Sequence, residues 1–109
     1  MQKKGIAVIG AGMIGAAHAS GYRAGLPRFL KREPGLFLST VCDANQEAAK
    51  ALSATYGFLR VSPRWQEVVA DESIRILSVA LRNYLHEEVT LQVSRGRRNK
   101  KTGGRRAHW

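Results

Sequence analysis

Three glycines near the start of the chain have the spacing that a diphosphate group requires. Gly10, Gly12 and Gly15 form a Gly-x-Gly-x-x-Gly motif directly after the apolar residues 6–9. The first glycine of such a motif permits a tight turn, the second lets the backbone approach a pyrophosphate, and the third lets a helix pack close to a strand. The first helical N–H groups then face the anion. The motif predicts dinucleotide binding, with an ordinary strand–helix turn or a secretory signal as alternatives.

An acidic residue follows the second apolar run of the chain. Asp43 comes directly after residues 36–42, a predicted strand, and a carboxylate there accepts hydrogen bonds from adenosine ribose hydroxyls and repels a 2′-phosphate. Its distance from the glycines exceeds the usual spacing of about 20 residues. Residues 25–35, interpreted as a surface loop, account for the excess. Asp43 therefore favours NAD as the cofactor, with NADP as an alternative; a second alternative is that Asp43 caps the helix beginning near Asn45.

The elements that would position these residues alternate between strand and helix. Predicted strands cover residues 6–9, 36–42, 58–61 and 74–80, and predicted helices cover residues 13–23, 45–56, 64–70 and 85–93. This order predicts an α/β fold, a Rossmann-like doubly wound parallel sheet of about four strands with helices on both faces. Gly57 is placed to end the second helix, and Ser62 with Pro63 to begin the third.

The net charge of +10 is concentrated at the end of the chain. Residues 1–92 carry 11 Lys/Arg and 8 Asp/Glu, whereas residues 93–109 carry 7 Lys/Arg and no acid. We therefore expect a partial dinucleotide-binding domain over residues 1–92 and a disordered basic tail over residues 93–109. The alternatives are an arm that binds nucleic acid, with Trp109 available to stack, and an out-of-frame end beginning near Gln92. The last is favoured because the change falls inside an expected βαβ unit.

Composition narrows the remaining function classes. No apolar run is long enough to cross a bilayer, and no Cys/His cluster has metal-ligand spacing. Cys42 is the single cysteine, so no internal disulfide forms. We expect a cytoplasmic protein without a metal or a membrane partner, and an open edge on the fourth strand that permits self-association.

Several segments between residues 4 and 92 occur in an order typical of one enzyme family. They are residues 5–19 with the glycine motif, residues 41–43, the helix that begins near Glu47, residues 56–58, and residues 65–80. In these segments the chain resembles the Gfo/Idh/MocA oxidoreductases, which include glucose–fructose oxidoreductase and inositol dehydrogenase. The resemblance implies the NAD(P)-binding Rossmann domain of an enzyme that acts on a CH–OH group of a sugar or polyol.

The resemblance also implies which residues bind the cofactor. The pyrophosphate and adenosine ribose side comprises Gly10, Gly12, Met13, Ile14, Gly15 and Asp43. The side of the nicotinamide ribose comprises Ala80, Leu81, Asn83 and His86. The chain departs from the family at Leu81-Arg82, where Thr-Pro is usual. It contains no Glu-Lys-Pro segment, whose lysine assists proton transfer in the family, and no substrate domain. We therefore expect no catalytic residue in this chain and no turnover by the chain alone.

Overall fold

Five parallel strands form one sheet in the computed structural model, which describes residues 3–81, 88–92 and 106–108. The strands are β1 (Lys4–Ile9), β2 (Leu36–Cys42), β3 (Arg60–Ser62), β4 (Ile74–Val79) and β5 (Arg106–His108). The helices are α1 (Met13–Arg32), α2 (Gln46–Tyr56) and α3 (Trp65–Ala70), and residues 88–92 are also helical. The strand order is β3-β2-β1-β4-β5. The chain crosses from β3 past β1 to reach β4, and this crossover places the carboxyl ends of β1, β2 and β4 at one edge of the sheet.

Helices cover both faces of the sheet, as its uninterrupted apolar strands require. On one face, α1 and α2 pack over a core that contains Ile6, Val8, Ala19, Leu38, Val41, Ala49, Leu52 and Phe58. On the other face, α3 and residues 88–92 pack over a core that contains Ala7, Ile9, Cys42, Val68, Leu77, Val79 and Val89. The predicted doubly wound α/β fold is therefore confirmed.

The second helix ends at the glycine that the sequence indicates and begins one residue later than predicted, after Asn45. The Asn45 side chain accepts a hydrogen bond from the Ala48 N–H at 3.2 Å, which caps the first turn. Gly57 follows the helix with φ +78°, and its N–H donates to the Ser53 carbonyl at 2.8 Å. Because a left-handed residue at this position favours glycine, Gly57 ends the helix as predicted.

The first helix is longer than predicted. It continues through Pro27 to Arg32, so the surface loop expected over residues 25–35 is wrong for most of its length. Tyr22 and Leu26 pack against the core, which holds the second half of α1 on the sheet. Proline removes a single N–H donor there, and the cations of the last turn lie at the negative end of the helix dipole. The longer spacing before Asp43 is therefore taken up by helix.

The third strand and third helix also begin later than predicted. β3 starts at Arg60 and includes Ser62, so this serine is a strand residue and not the first residue of a helix. The backbone N-cap of α3 is Arg64, whose N–H donates to the Ser62 hydroxyl at 3.3 Å. Ser62 therefore still satisfies one donor near the helix start.

The edge of β4 carries a strand that the sequence does not predict. Residues Arg106–His108 pair in the parallel direction with residues 76–78 of β4, beside the four strands that the sequence predicts. An edge strand presents unpaired N–H and C=O groups. An extended segment can form hydrogen bonds with these groups even when its side chains have no apolar pattern. Residues 93–105 and 109, and the expectations for them, lie outside the described residues.

Candidate functional site

The glycine turn is tied to the strands on both sides of β1. The Gly10 N–H donates to the Cys42 carbonyl at the end of β2, at 2.7 Å. The Ala80 N–H, directly after β4, donates to the Ile9 carbonyl at 2.7 Å. The turn therefore lies where the carboxyl ends of three neighbouring strands meet, which is where open α/β sheets bind ligands.

Two of the three motif glycines are required by close backbone contacts. Gly10 has φ +106°, and a Cβ on it would lie 2.2 Å from the Ala80 carbonyl oxygen. A Cβ on Gly15 would lie 1.8 Å from the Gly10 carbonyl oxygen. Gly12 differs, because no atom lies within 4 Å of the position its Cβ would take. The first and third glycines hold the turn and helix together, and the second leaves open space beside the backbone.

The first turn of α1 is open and has no capping group. Gly12 is the N-cap and provides no side chain, and the first turn contains no acidic residue. Met13 is 90% exposed and Ile14 is 65% exposed. The first N–H groups of a helix have no carbonyl partner within the helix, and the helix dipole adds positive potential there. The arrangement suits an anionic group placed beside Gly12.

Asp43 connects the glycine turn to the start of α2. Its Oδ2 accepts a hydrogen bond from the Ala11 N–H at 2.8 Å, and its Oδ1 accepts one from the Asn45 N–H at 2.8 Å. The Gln46 side chain donates to the Asp43 carbonyl at 2.7 Å. The carboxylate is half-buried, and two of its roughly four acceptor positions are used by these residues. It therefore keeps acceptor capacity for hydroxyl groups beside the glycine turn.

The sequence identifies Asp43 but not its contact with Ala11. The Ala11 side chain carries no functional group. Its position between two glycines is therefore the one signal that its N–H lies at the edge of the sheet where a ligand would bind. In the alternative interpretation Asp43 caps α2, but the structure gives this role to another residue. Asn45 is the N-cap, and Asp43 accepts the N–H of that N-cap residue.

The residues expected on the nicotinamide side are described in part. Ala80 lies against Gly10, since its carbonyl oxygen occupies the space that a Gly10 side chain would need. Leu81 packs against the core on the α3 face and lies near the same turn. Asn83 and His86 lie outside the described residues. The structure thus brings Ala80 and Leu81 to the glycine turn.

Cys42 lies beneath the site and is chemically protected. Its side chain is buried at the end of β2. Burial, together with the negative charges of Asp43 and Glu67, raises the pKa of the thiol from 9.0 to about 12, against a smaller opposing effect of a hydrogen bond with Ser62. The thiol therefore stays protonated and is a poor nucleophile.

This pKa predicts a loss of stability at alkaline pH. Between about pH 9 and pH 12 the folded protein keeps the Cys42 proton while the unfolded chain releases it, so the free energy of unfolding falls as pH rises. Denaturant unfolding below and above pH 9 measures this fall. The matched variant Cys42→Ala should lose less stability over the same interval, and an equal loss in both proteins would show that Cys42 does not contribute.

The described residues contain neither a candidate metal site nor a candidate membrane-spanning helix. No group of three or more His, Cys, Asp or Glu side chains among residues 3–81 and 88–92 is placed to hold a metal ion. No helix in the described part of the chain has the length and apolar character to cross a membrane.

Comparisons with known proteins agree with this geometry. The model of a family described as oxidoreductases with an NAD-binding Rossmann fold, Gfo/Idh/MocA, matches residues 4–98. The chain is 30% identical over 92 residues to levoglucosan dehydrogenase of Pseudarthrobacter phenanthrenivorans, covering 84% of this chain and 23% of that protein.

Solved structures give the same result. A levoglucosan dehydrogenase in complex with NADH has a TM-score of 0.74 at 25% identity, covering 97% of this chain and 27% of that one. An NAD-binding oxidoreductase from Klebsiella pneumoniae has a TM-score of 0.69 at 28% identity, covering 86% of this chain and 25% of that one. The chain thus spans about a quarter of the length of these relatives.

Proposed function

The chain belongs to the Gfo/Idh/MocA family of oxidoreductases as an NAD-binding Rossmann domain, and we propose that it holds NAD(H) through the glycine turn and Asp43. In this proposal the N–H groups of the first turn of α1 bind the diphosphate beside Gly12. The Asp43 carboxylate accepts hydrogen bonds from the adenosine ribose. Ala80 and Leu81 border the nicotinamide half of the cofactor, and Asn83 and His86 belong to the same side by resemblance.

The observation that carries this proposal is the open, uncapped start of α1. A helix N-terminus without a capping side chain leaves its N–H groups for an anion, and the absence of a neighbour around Gly12 provides the space. Asp43 is fixed beside this space by its bonds to Ala11 and Asn45, so it needs no rearrangement to accept further hydrogen bonds. Its negative charge favours NAD over NADP, because a 2′-phosphate would meet it at close range.

The family and the similar dehydrogenases suggest the reaction that this domain serves. Bound NAD⁺ supplies a hydride acceptor for the oxidation of a CH–OH group, and we propose a sugar or polyol as the donor. The residues of this chain bind and orient the cofactor in that reaction. In this proposal the described carboxylate at the glycine turn, Asp43, contacts the adenosine ribose and not the substrate, and the chain has no Glu-Lys-Pro segment. We therefore expect these 109 residues alone to bind the cofactor without oxidising a sugar.

Titration of the purified chain with NADH tests the proposal. We expect saturable enhancement of NADH fluorescence, weaker binding of NADPH, and no reduction of NAD⁺ when levoglucosan or inositol is added. Saturating single-stranded oligonucleotide, which occupies a basic tail if residues 93–109 bind nucleic acid, should leave NADH binding unchanged. A chain whose circular dichroism shows a folded protein but which does not bind NADH would contradict the proposal.

A further inference from the structure

The connection between β3 and α3 lies beside Asp43 and has no role in the cofactor contacts proposed above. Cys42 pairs with Ser62 in the sheet, and the Asp43 N–H donates to the Ser62 carbonyl at 3.1 Å. Pro63 and Arg64, which form the connection, therefore follow a strand that ends at the same edge of the sheet as β2. Neighbouring strands are about 4.8 Å apart, so one nucleoside can contact both Asp43 and the connection.

The order of the groups in a dinucleotide indicates which of them reaches this connection. The position proposed for the diphosphate lies after β1, and the position proposed for the adenosine ribose lies after β2. The ribose carries the diphosphate arm and the adenine on different ring carbons, so in an extended dinucleotide the adenine lies on the side away from the diphosphate. The strand that follows β1 and β2 in the sheet order is β3. The adenine is therefore expected at the end of β3, a step that rests on the proposed function.

Arg64 has a fixed backbone and an uncommitted side chain at this position. The Ser62 hydroxyl accepts a hydrogen bond from the Arg64 N–H at 3.3 Å and donates one to the Arg64 carbonyl at 3.2 Å. The Arg64 side chain is exposed, and no hydrogen bond or ion pair joins its guanidinium group to another described residue. Pro63, directly before it, is exposed as well, and its ring restricts the backbone of the connection. A planar cation is thus held where the adenine is expected.

The chemistry of a guanidinium group suits the face of an aromatic base. The group is planar and stacks on aromatic rings, and its positive charge is attracted by their π electrons. The other partner for an arginine at this position is a 2′-phosphate, but Asp43 repels that group and NAD does not carry it. We propose that Arg64 stacks on the adenine of the bound cofactor and contributes affinity that does not depend on the substituent at the ribose 2′ position.

Titration of the variant Arg64→Ala with three ligands tests this proposal. We expect the Kd for NADH to rise about two- to fivefold, the range for a cation on an aromatic ring at an exposed site. NADPH, and ADP-ribose measured by displacement of NADH, should lose affinity by the same factor, because all three contain the adenine. Lys31→Ala removes the same charge near the other end of α1 and is the matched control. It should leave these Kd values unchanged, because exposed charges more than about 10 Å apart are largely screened.

A larger loss for NADPH than for NADH would show that Arg64 binds the 2′-phosphate, and a loss for NADH without one for ADP-ribose would place Arg64 at the nicotinamide half. Either result overturns the proposal, as does equal weakening by the two variants.

Proton chemical shifts of the wild-type chain give a second test that needs no variant. Saturating ADP-ribose should move the Arg64 side-chain protons upfield, because they would lie over the face of the adenine ring. An unchanged Arg64 side chain, in a chain whose Gly12 amide does respond to ADP-ribose, would refute the stacking and leave the proposed function intact. A folded wild-type chain that does not bind NADH would refute both.

Discussion

Replacing Gly15 with alanine is expected to destabilise the whole domain and to abolish NADH binding. The new Cβ would lie 1.8 Å from the Gly10 carbonyl oxygen, which is a backbone atom held by the hydrogen bonds of the turn. To remove this overlap, α1 would have to move away from β1, and this movement would disrupt the core that the two elements share. Overpacking of this kind costs about 3 kcal/mol, which is a large part of the stability of a small domain. Thermal unfolding followed by circular dichroism should show a Tm about 10–20 °C lower.

Two other glycine variants separate stability from cofactor binding. Gly21 lies inside α1 with no atom within 4 Å of its Cβ position, so Gly21→Ala should raise the stability by up to about 1 kcal/mol and leave NADH binding unchanged. Gly12→Ala likewise meets no neighbouring atom and should fold normally, but its Cβ enters the space proposed for the diphosphate. We expect it to weaken NADH binding at undiminished Tm. Full NADH affinity in Gly12→Ala would contradict the proposed position of the diphosphate.

Replacing Asp43 with asparagine should weaken NADH binding about 10- to 100-fold and reduce the preference for NADH over NADPH. The substitution removes a negative charge and one of the two oxygens that accept the Ala11 and Asn45 N–H groups. A charge-assisted hydrogen bond contributes about 1.5–3 kcal/mol, which sets the expected loss. The repulsion of a 2′-phosphate disappears in the same variant, so NADPH should lose less affinity than NADH.

A nearby acid provides the control for this charge change. Glu47 is exposed in the first turn of α2, and no contact joins it to the glycine turn. Glu47→Gln removes the same charge and should alter the Kd for NADH less than about twofold. If Asp43→Asn and Glu47→Gln have equal effects on both cofactors, Asp43 acts through general electrostatics and does not contact the ribose.

The parts of the fold that sequence predicted correctly are those specified by local chemistry. The glycine motif follows a strand and begins a helix, Gly57 ends α2, and Asp43 directly follows β2. In each case one residue type satisfies a backbone requirement that few others satisfy. The confirmed alternation of strand and helix then follows, because apolar strands without polar alternation need helices on both faces.

The errors fall where tertiary packing overrides local preference. Gly25, Pro27 and the cluster of cations indicated a loop, yet α1 continues because Tyr22 and Leu26 bind it to the core. The bond between the Ala11 N–H and Asp43 joins residues 32 positions apart, and a backbone donor leaves only the position of Ala11 between two glycines as a signal in the sequence.

Amide chemical shifts recorded during an NADH titration test the central claim most directly. We predict saturable changes at the N–H groups of Ala11, Gly12, Met13 and Ile14 and at Asn45, where the diphosphate and ribose are proposed to bind. The second half of α1, including Lys31, should be unaffected. Changes confined to the basic residues 93–109, or none in the first turn of α1 at saturating NADH, would contradict the account.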